Sequence, residues 1–230
     1  MWSKVDPRGH RVGVTQPRPC EWFATSQKQS AQFFVEDVKI RDFIEEFYYR
    51  AGISKVVIKK SEKEGEVLIF TGKPAALLGK DGKRLAEFEA WLEKKIGRKL
   101  KISVKEIKVP ELSAKIMAEF AAIQLENRMP YRRVAKSVLQ KVMEKGAQGI
   151  KVQIGGRLGW ADISRSEKFT DGRVPLQTLR SDIDYYETVA KTKYGVLGIK
   201  VWICKGMIMD PWHDAKAEAK AAAMKRVTSK

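Results

Sequence analysis

The residues of this chain whose types and spacing could do chemistry are, with one exception, cations. Gly79-Lys80-Asp81-Gly82, followed at once by Lys83 and Arg84, is a glycine pair wrapped in positive charge. Two glycines let a backbone approach a phosphodiester with no Cβ in the way, and free N–H groups at the start of a following helix favour the anion. A lone GxxG usually marks a plain turn, and it is the surrounding context that raises this one, although Asp81 puts a carboxylate inside it. A second group, Arg132, Arg133 and Lys136, lies opposite Tyr131, Val134, Val138 and Val142 on a helical repeat, with no acid between Arg128 and Glu144. Composition leaves that face equally a solvated surface or one that tracks phosphates. A third group, Arg157, Arg165, Lys168, Arg173 and Arg180, is spaced irregularly among glycines. That arrangement suits a folded polyanion read by shape and backbone rather than by a groove code.

The exception is acidic. Asp182 and Asp184 form a D-x-D, with Asp162, Glu167 and Asp171 nearby, and a metal-dependent nuclease could use such carboxylates. They are interleaved with Arg165, Arg173 and Arg180, and ion pairs account for them more cheaply. His10 and His213 sit near opposite ends, which removes a histidine metal site or a Ser-His-Asp triad. Cys20 and Cys204 are in no ligand spacing and read as free thiols in a reducing cytosol. Lys80 and Lys83 do not complete a GxxxxGK[ST] phosphate loop. No catalytic residue, metal or cofactor is expected.

The positioning elements follow from periodicity. The 230 residues carry 45 Lys+Arg against 28 Asp+Glu, a formal +17. The excess is shared: 23 basic and 15 acidic residues up to Val109, then 22 and 13 from Pro110. Both halves therefore face the same kind of polyanion, and nucleic acid is the first candidate. Met1–Arg11 lacks an apolar core and no run approaches membrane length, so a soluble cytosolic protein is expected.

Pro7, Gly9, Gly13, Pro17 and Pro19 mark an irregular basic extension. From Glu36 the pattern turns helical, with Ile40, Phe43, Ile44, Phe47 and Ala51 on one face. Strands follow at 53–59 and 66–71, then a short apolar segment at 74–78, the GxxG, a helix carrying Leu85, Phe88, Leu92 and Ile96, and a strand at 100–104 with lysines outward. Pro110-Glu111 is the expected domain boundary. Beyond it come two helices separated at Met129-Pro130, then period-two runs at Ile150–Ile154 and Ile199–Ile203. The strands within 155–186 are not legible, and the Ala/Lys-rich end reads as a solvated helix or a tail.

This order around a GxxG resembles a KH type II module. Across the chain, Lys4-Val5-Asp6-Pro7-Arg8-Gly9-His10-Arg11-Val12-Gly13, Gly156-Arg157-Leu158-Gly159, Asp171 through Tyr185 and Tyr194 through Ile203 are similar to the bacterial-type family of small-subunit ribosomal protein three. The resemblance implies an α+β chain: a basic N-terminal extension at 1–38, a KH type II domain at 39–109, a two-layer α/β domain at 110–210 and a charged tail at 211–230. It further implies a structural place in the head of the small ribosomal subunit, in the cytoplasm. The partners it implies are small-subunit rRNA, mRNA and neighbouring ribosomal proteins, ten and fourteen in the head, four and five where mRNA enters.

Gly79, Lys80, Gly82, Lys83 and Arg84 become an RNA-binding loop on this resemblance. Arg132, Arg133 and Lys136, in a Tyr-Arg-Arg-x-x-Lys pattern, inherit an mRNA-holding, strand-separating role, and Lys4, Arg8, Arg11, Arg157, Arg165, Arg173 and Arg180 become rRNA contacts. Departures are Trp2 for a usual Gly, Asp81 for a usual base, Trp160 for a usual second Gly and Gln177 for a common His. Two other functions remain open on the residues alone: a free KH-type RNA chaperone, and a metal-dependent nuclease centred on Asp182.

Overall fold

A computed structural model of the protein describes residues 4–48, 51–60, 65–79, 82–96 and 100–208. Lys80 and Asp81 of the glycine loop, Trp2, His213 and the 211–230 tail lie outside the described residues.

The first domain is a four-stranded sheet of order β1-β2-β3-β4, built from β1 (Cys20–Glu21), β2 (Ile53–Lys60), β3 (Gly65–Thr71) and β4 (Leu100–Glu106). The β2–β3 pair is antiparallel and the two outer pairs are parallel. Helices α1 (Gln27–Phe47), α2 (Pro74–Leu78) and α3 (Lys83–Ile96) bring Ile40, Ile44, Leu77, Phe88 and Leu92 onto Val56, Ile58, Val67, Ile69 and Ile102 in one core. Each such side chain contributes about 1.5–3 kcal/mol through burial.

Helix α1 corrects the expected start at Glu36: it begins nine residues earlier, at Gln27, and runs through the 38/39 boundary. Its start is a variant of the capping box, closed one residue before the N-cap. The Ser26 hydroxyl accepts from the Gln29 N–H, and the Gln29 side chain accepts from the N–H of Thr25.

The second domain stacks α4 (Ala114–Glu126) and α5 (Tyr131–Glu144) on an antiparallel sheet of order β6-β5-β8-β7. Its strands are β5 (Gly149–Gly156), β6 (Arg165–Gly172), β7 (Ser181–Thr192) and β8 (Gly195–Met207). Val134, Ala135, Val138 and Val142 of α5 pack with Ile150, Val152, Ile199 and Val201, as the sequence period requires. The opposite face of the sheet carries a smaller cluster of Ile183, Tyr185, Trp202 and Cys204.

The N-terminal segment ties the two domains together. Arg8 lies over the Tyr185 ring, and Gln16 donates to Asp182 and to the Ile183 carbonyl, both in β7. A few residues later Cys20 and Glu21 pair with Ile58 and Lys59 of β2 in the first sheet. Residues 4–21 are thus a clasp across both domains. Among the described residues no helix is long and apolar enough to cross a membrane.

Candidate nucleic-acid interface

The best-organised cationic site is the start of α5. Helix α4 is closed by Arg128 in the left-handed region (φ 62°), with the Met129 N–H reaching back to the Gln124 carbonyl. Pro130 then supplies a carbonyl for the N–H groups of Arg133 and Val134 but no side chain to cap the helix. Arg132 and Arg133 therefore sit in the first turn, where the helix dipole is positive and the helix supplies no acidic residue of its own. This placement opposes helix stability and makes the turn a ready anion site.

The side chains there are held in place. The Tyr131 hydroxyl donates to Glu167 Oε1 at 2.9 Å and accepts from Arg132 Nε at 3.1 Å and Arg165 Nη2 at 3.3 Å. Glu167 also approaches Arg165 Nε at 3.4 Å and Arg132 Nε at 3.7 Å. The Tyr131 bond, with Glu167 close by, raises the Arg132 guanidinium above its ordinary value, so it stays charged. Arg133 and Lys136 are exposed on the same helix.

Arg165 thus joins Arg132 rather than a separate loop surface. Two guanidinium groups share one carboxylate and one phenol, which leaves net positive charge with fixed geometry. Sequence reading missed Tyr131 and Glu167 as organisers. The signal was faint: Tyr131 looked like packing, and Glu167 looked like one of several scattered acids.

The glycine loop is partly described. Gly79 closes α2 at φ 69°, ψ −168°, a region open essentially to glycine, and a Cβ there would stand 2.9 Å from the Arg84 Cβ. Gly82 has φ 72°. The Arg84 guanidinium reaches over the rings of Phe47 (6.0 Å) and Tyr48 (5.7 Å) and stays exposed at the start of α3. Burial outweighs that nearby charge at the phenol and pushes Tyr48 up to about 12.

The remaining expected contacts divide. Lys4, Arg173 and Arg180 are exposed. Arg8 is half-exposed but doubly bonded to Asp6, with Nη2 2.9 Å from Oδ2. Arg157 is half-exposed and tied down locally, donating to the Ala161 carbonyl at 2.9 Å and pairing with Asp162.

Arg11 is a correction. It is fully buried, and its guanidinium donates to the carbonyls of Pro7, Leu176, Thr178 and Ser181 at 2.8–2.9 Å. Four of its five N–H donors are committed to carbonyls and the side chain is closed off from solvent, so Arg11 is the pin of the clasp rather than a phosphate contact.

Ion pairing accounts for part of the acidic group, with Glu167 on Arg165 and Asp162 on Arg157, while the D-x-D is used otherwise. Asp184 accepts from the Ala114 N–H at 2.9 Å, capping α4 from another element, and Asp182 accepts from Gln16. Neither pairs with Arg173 or Arg180 among the described residues. No group of three His, Cys, Asp or Glu side chains there could hold a metal ion.

A helix-backed sheet with a GxxG loop, joined to a second basic sheet domain, defines an RNA-binding protein of the KH class. The family model described as KH domain matches residues 39–112. The model described as Ribosomal protein S3, C-terminal domain matches residues 121–203. Small ribosomal subunit protein uS3 of Persephonella marina is 44% identical over 228 residues, which is 99% of this chain and 97% of that one. The uS3 proteins of Carboxydothermus hydrogenoformans and Pelotomaculum thermopropionicum are 43% and 42% identical, over 91% and 97% of this chain and 94% and 95% of theirs. The chain belongs to the small ribosomal subunit protein uS3 family, whose members are structural proteins and not enzymes.

Proposed function

We infer that this chain, as a structural constituent of the small ribosomal subunit in the bacterial cytoplasm, binds small-subunit rRNA in the head and holds mRNA where it enters. The observation that carries the mRNA role is the start of α5. Arg132 and Arg133 stand against the helix dipole at an uncapped N-terminus, and Arg132 and Arg165 are pre-oriented by Tyr131 and Glu167. That arrangement is costly for a free surface and favourable once a phosphate occupies it. Lys136 extends the charge one turn along the helix.

Strand separation is passive in this reading. Fixed cations grip single-stranded phosphates while translocation supplies the work, and no bound nucleotide is required. The rRNA contacts fall to the exposed Lys4, Arg173 and Arg180, to the part-shielded Arg8 and Arg157, and to the glycine loop with Gly79, Lys80, Gly82, Lys83 and Arg84. Ribosomal proteins ten and fourteen in the head, and four and five at the entrance, are the protein neighbours this reading adopts.

The test is Arg132→Ala with Arg133→Ala in reconstituted subunits. Assembly and translation of an unstructured message should match wild type, while a message with a stable hairpin should slow. Equal rates on the hairpin message overturn the role.

A further inference from the structure

Beside the α5 cluster lies an aromatic pair that the core does not use. The turn Leu158–Trp160 carries two successive left-handed residues, Gly159 at φ 65° and Trp160 at φ 64°. A bulky non-glycine residue there is an outlier. Trp160 is not repaid by burial: it is 60% exposed and belongs to no core cluster. Its ring lies 5.6 Å from that of Tyr194, in the β7–β8 turn, which is 51% exposed.

Arg157 joins the two turns. Its Nε donates to the Ala161 carbonyl and its Nη1 to the Tyr194 carbonyl at 3.3 Å, so the backbones that carry the two rings are tied to each other. The turn that carries Trp160 abuts the cationic site, because a Cβ on Gly159 would stand 3.9 Å from the Tyr131 ring edge.

We propose that Trp160 and Tyr194 form a stacking platform for an unpaired RNA base whose flanking phosphates are held by Arg132, Arg133 and Arg165. Aromatic faces accept any base, and a cationic groove beside them tracks the backbone, which is how single strands are bound without sequence preference. The net positive charge that borders the turn favours a polyanion over an apolar protein partner. The inference rests on the α5 site facing RNA. It adds a base-dependent contact to a grip that is otherwise purely electrostatic.

The experiment compares the full-length protein with Trp160→Ala and Trp160→Phe. Each is titrated with a short single-stranded oligouridine and with an abasic strand of equal length, and contacts are mapped by photo-crosslinking a bromouridine-substituted strand. The proposal expects crosslinks on Trp160 or Tyr194. It expects about tenfold weaker oligouridine binding for Trp160→Ala, near-normal binding for Trp160→Phe, and no change on the abasic strand.

Unchanged oligouridine binding with no crosslink on either aromatic overturns it, as does an equal loss on both strands. Unchanged RNA binding with release of a neighbouring protein from the subunit also overturns it and makes the site a protein contact. Arg132→Ala with Arg133→Ala serves as the separate arm. It should weaken both strands alike, and if it weakens neither, the α5 reading fails while the base-dependent result stands or falls by itself.

Discussion

Arg11→Ala offers the sharpest trial of how the two domains are held. The guanidinium is fully buried and satisfies four carbonyls, three of them in residues 176–181. Leaving buried carbonyls unpaired costs about 1–3 kcal/mol each, and water admitted to the void recovers part of it. A net loss of about 3–5 kcal/mol is expected, near the upper end for one substitution. At about 2–4 °C per kcal/mol for a chain of this size, the melting temperature should fall by roughly 10 °C.

Arg11→Lys keeps the charge but not the planar fork and should recover less than half. The assay is thermal unfolding followed by circular dichroism, with limited proteolysis reporting release of residues 4–21. A variant melting within about 2 °C of wild type refutes the reasoning. So does a variant of normal stability with weaker, less salt-dependent RNA binding, which would make Arg11 a phosphate ligand.

Further substitutions probe single contacts. Burial, reinforced by Glu45 and opposed by Lys115, pushes Glu119 up to about 7. The folded chain then keeps this proton after the unfolded chain has lost it, so stability should fall as pH rises from about 4.5 to about 7 and level off above. Glu119→Gln should remove that slope and stabilise the protein at pH 8 by on the order of 2 kcal/mol, with no gain near pH 4.5, as read by melting across pH. Gly79→Ala forces a Cβ against Arg84 at a glycine-only conformation and should cost about 1–3 kcal/mol in denaturant titration. Asp184→Ala strips the cap from α4 and should cost about 1–2 kcal/mol, with hydrogen exchange rising first at Ala114.

What the sequence made legible was whatever repeats with a single period. Ile40 through Phe47, Val134 through Val142 and Ile150 through Ile154 each bury one face, and the elements stand where those periods put them. Strand β6 escaped because its side chains are mostly exposed and Phe169 is its one sizeable apolar residue. The early start of α1 escaped because Phe34, Val35 and Val38 are apolar yet exposed, which blurs the helical face. Ser26 and Gln29, three residues apart, were the readable sign of it.

At the site, the cations of α5 were visible as a charged face, but their organisation depends on Glu167 in a strand that could not be placed. Arg11 was misassigned for a related reason. Within Pro7-Arg8-Gly9-His10-Arg11 it looks like part of a basic arm, and three of its four partners lie 165–170 residues away.

That separation has a consequence in time. Chains are made at about 5–20 residues per second, so the carbonyls that receive Arg11 emerge on the order of ten to thirty seconds after it. Through that interval the first domain can close its own core, since Ile40 through Ile102 are already present. The N-terminal residues meanwhile have one anchorage, on β2, and lack the other. A chain halted before Leu176 should therefore carry a formed first domain with residues 4–16 open to protease, and protection should arrive only as β7 is completed. The segment made first is fixed among the last.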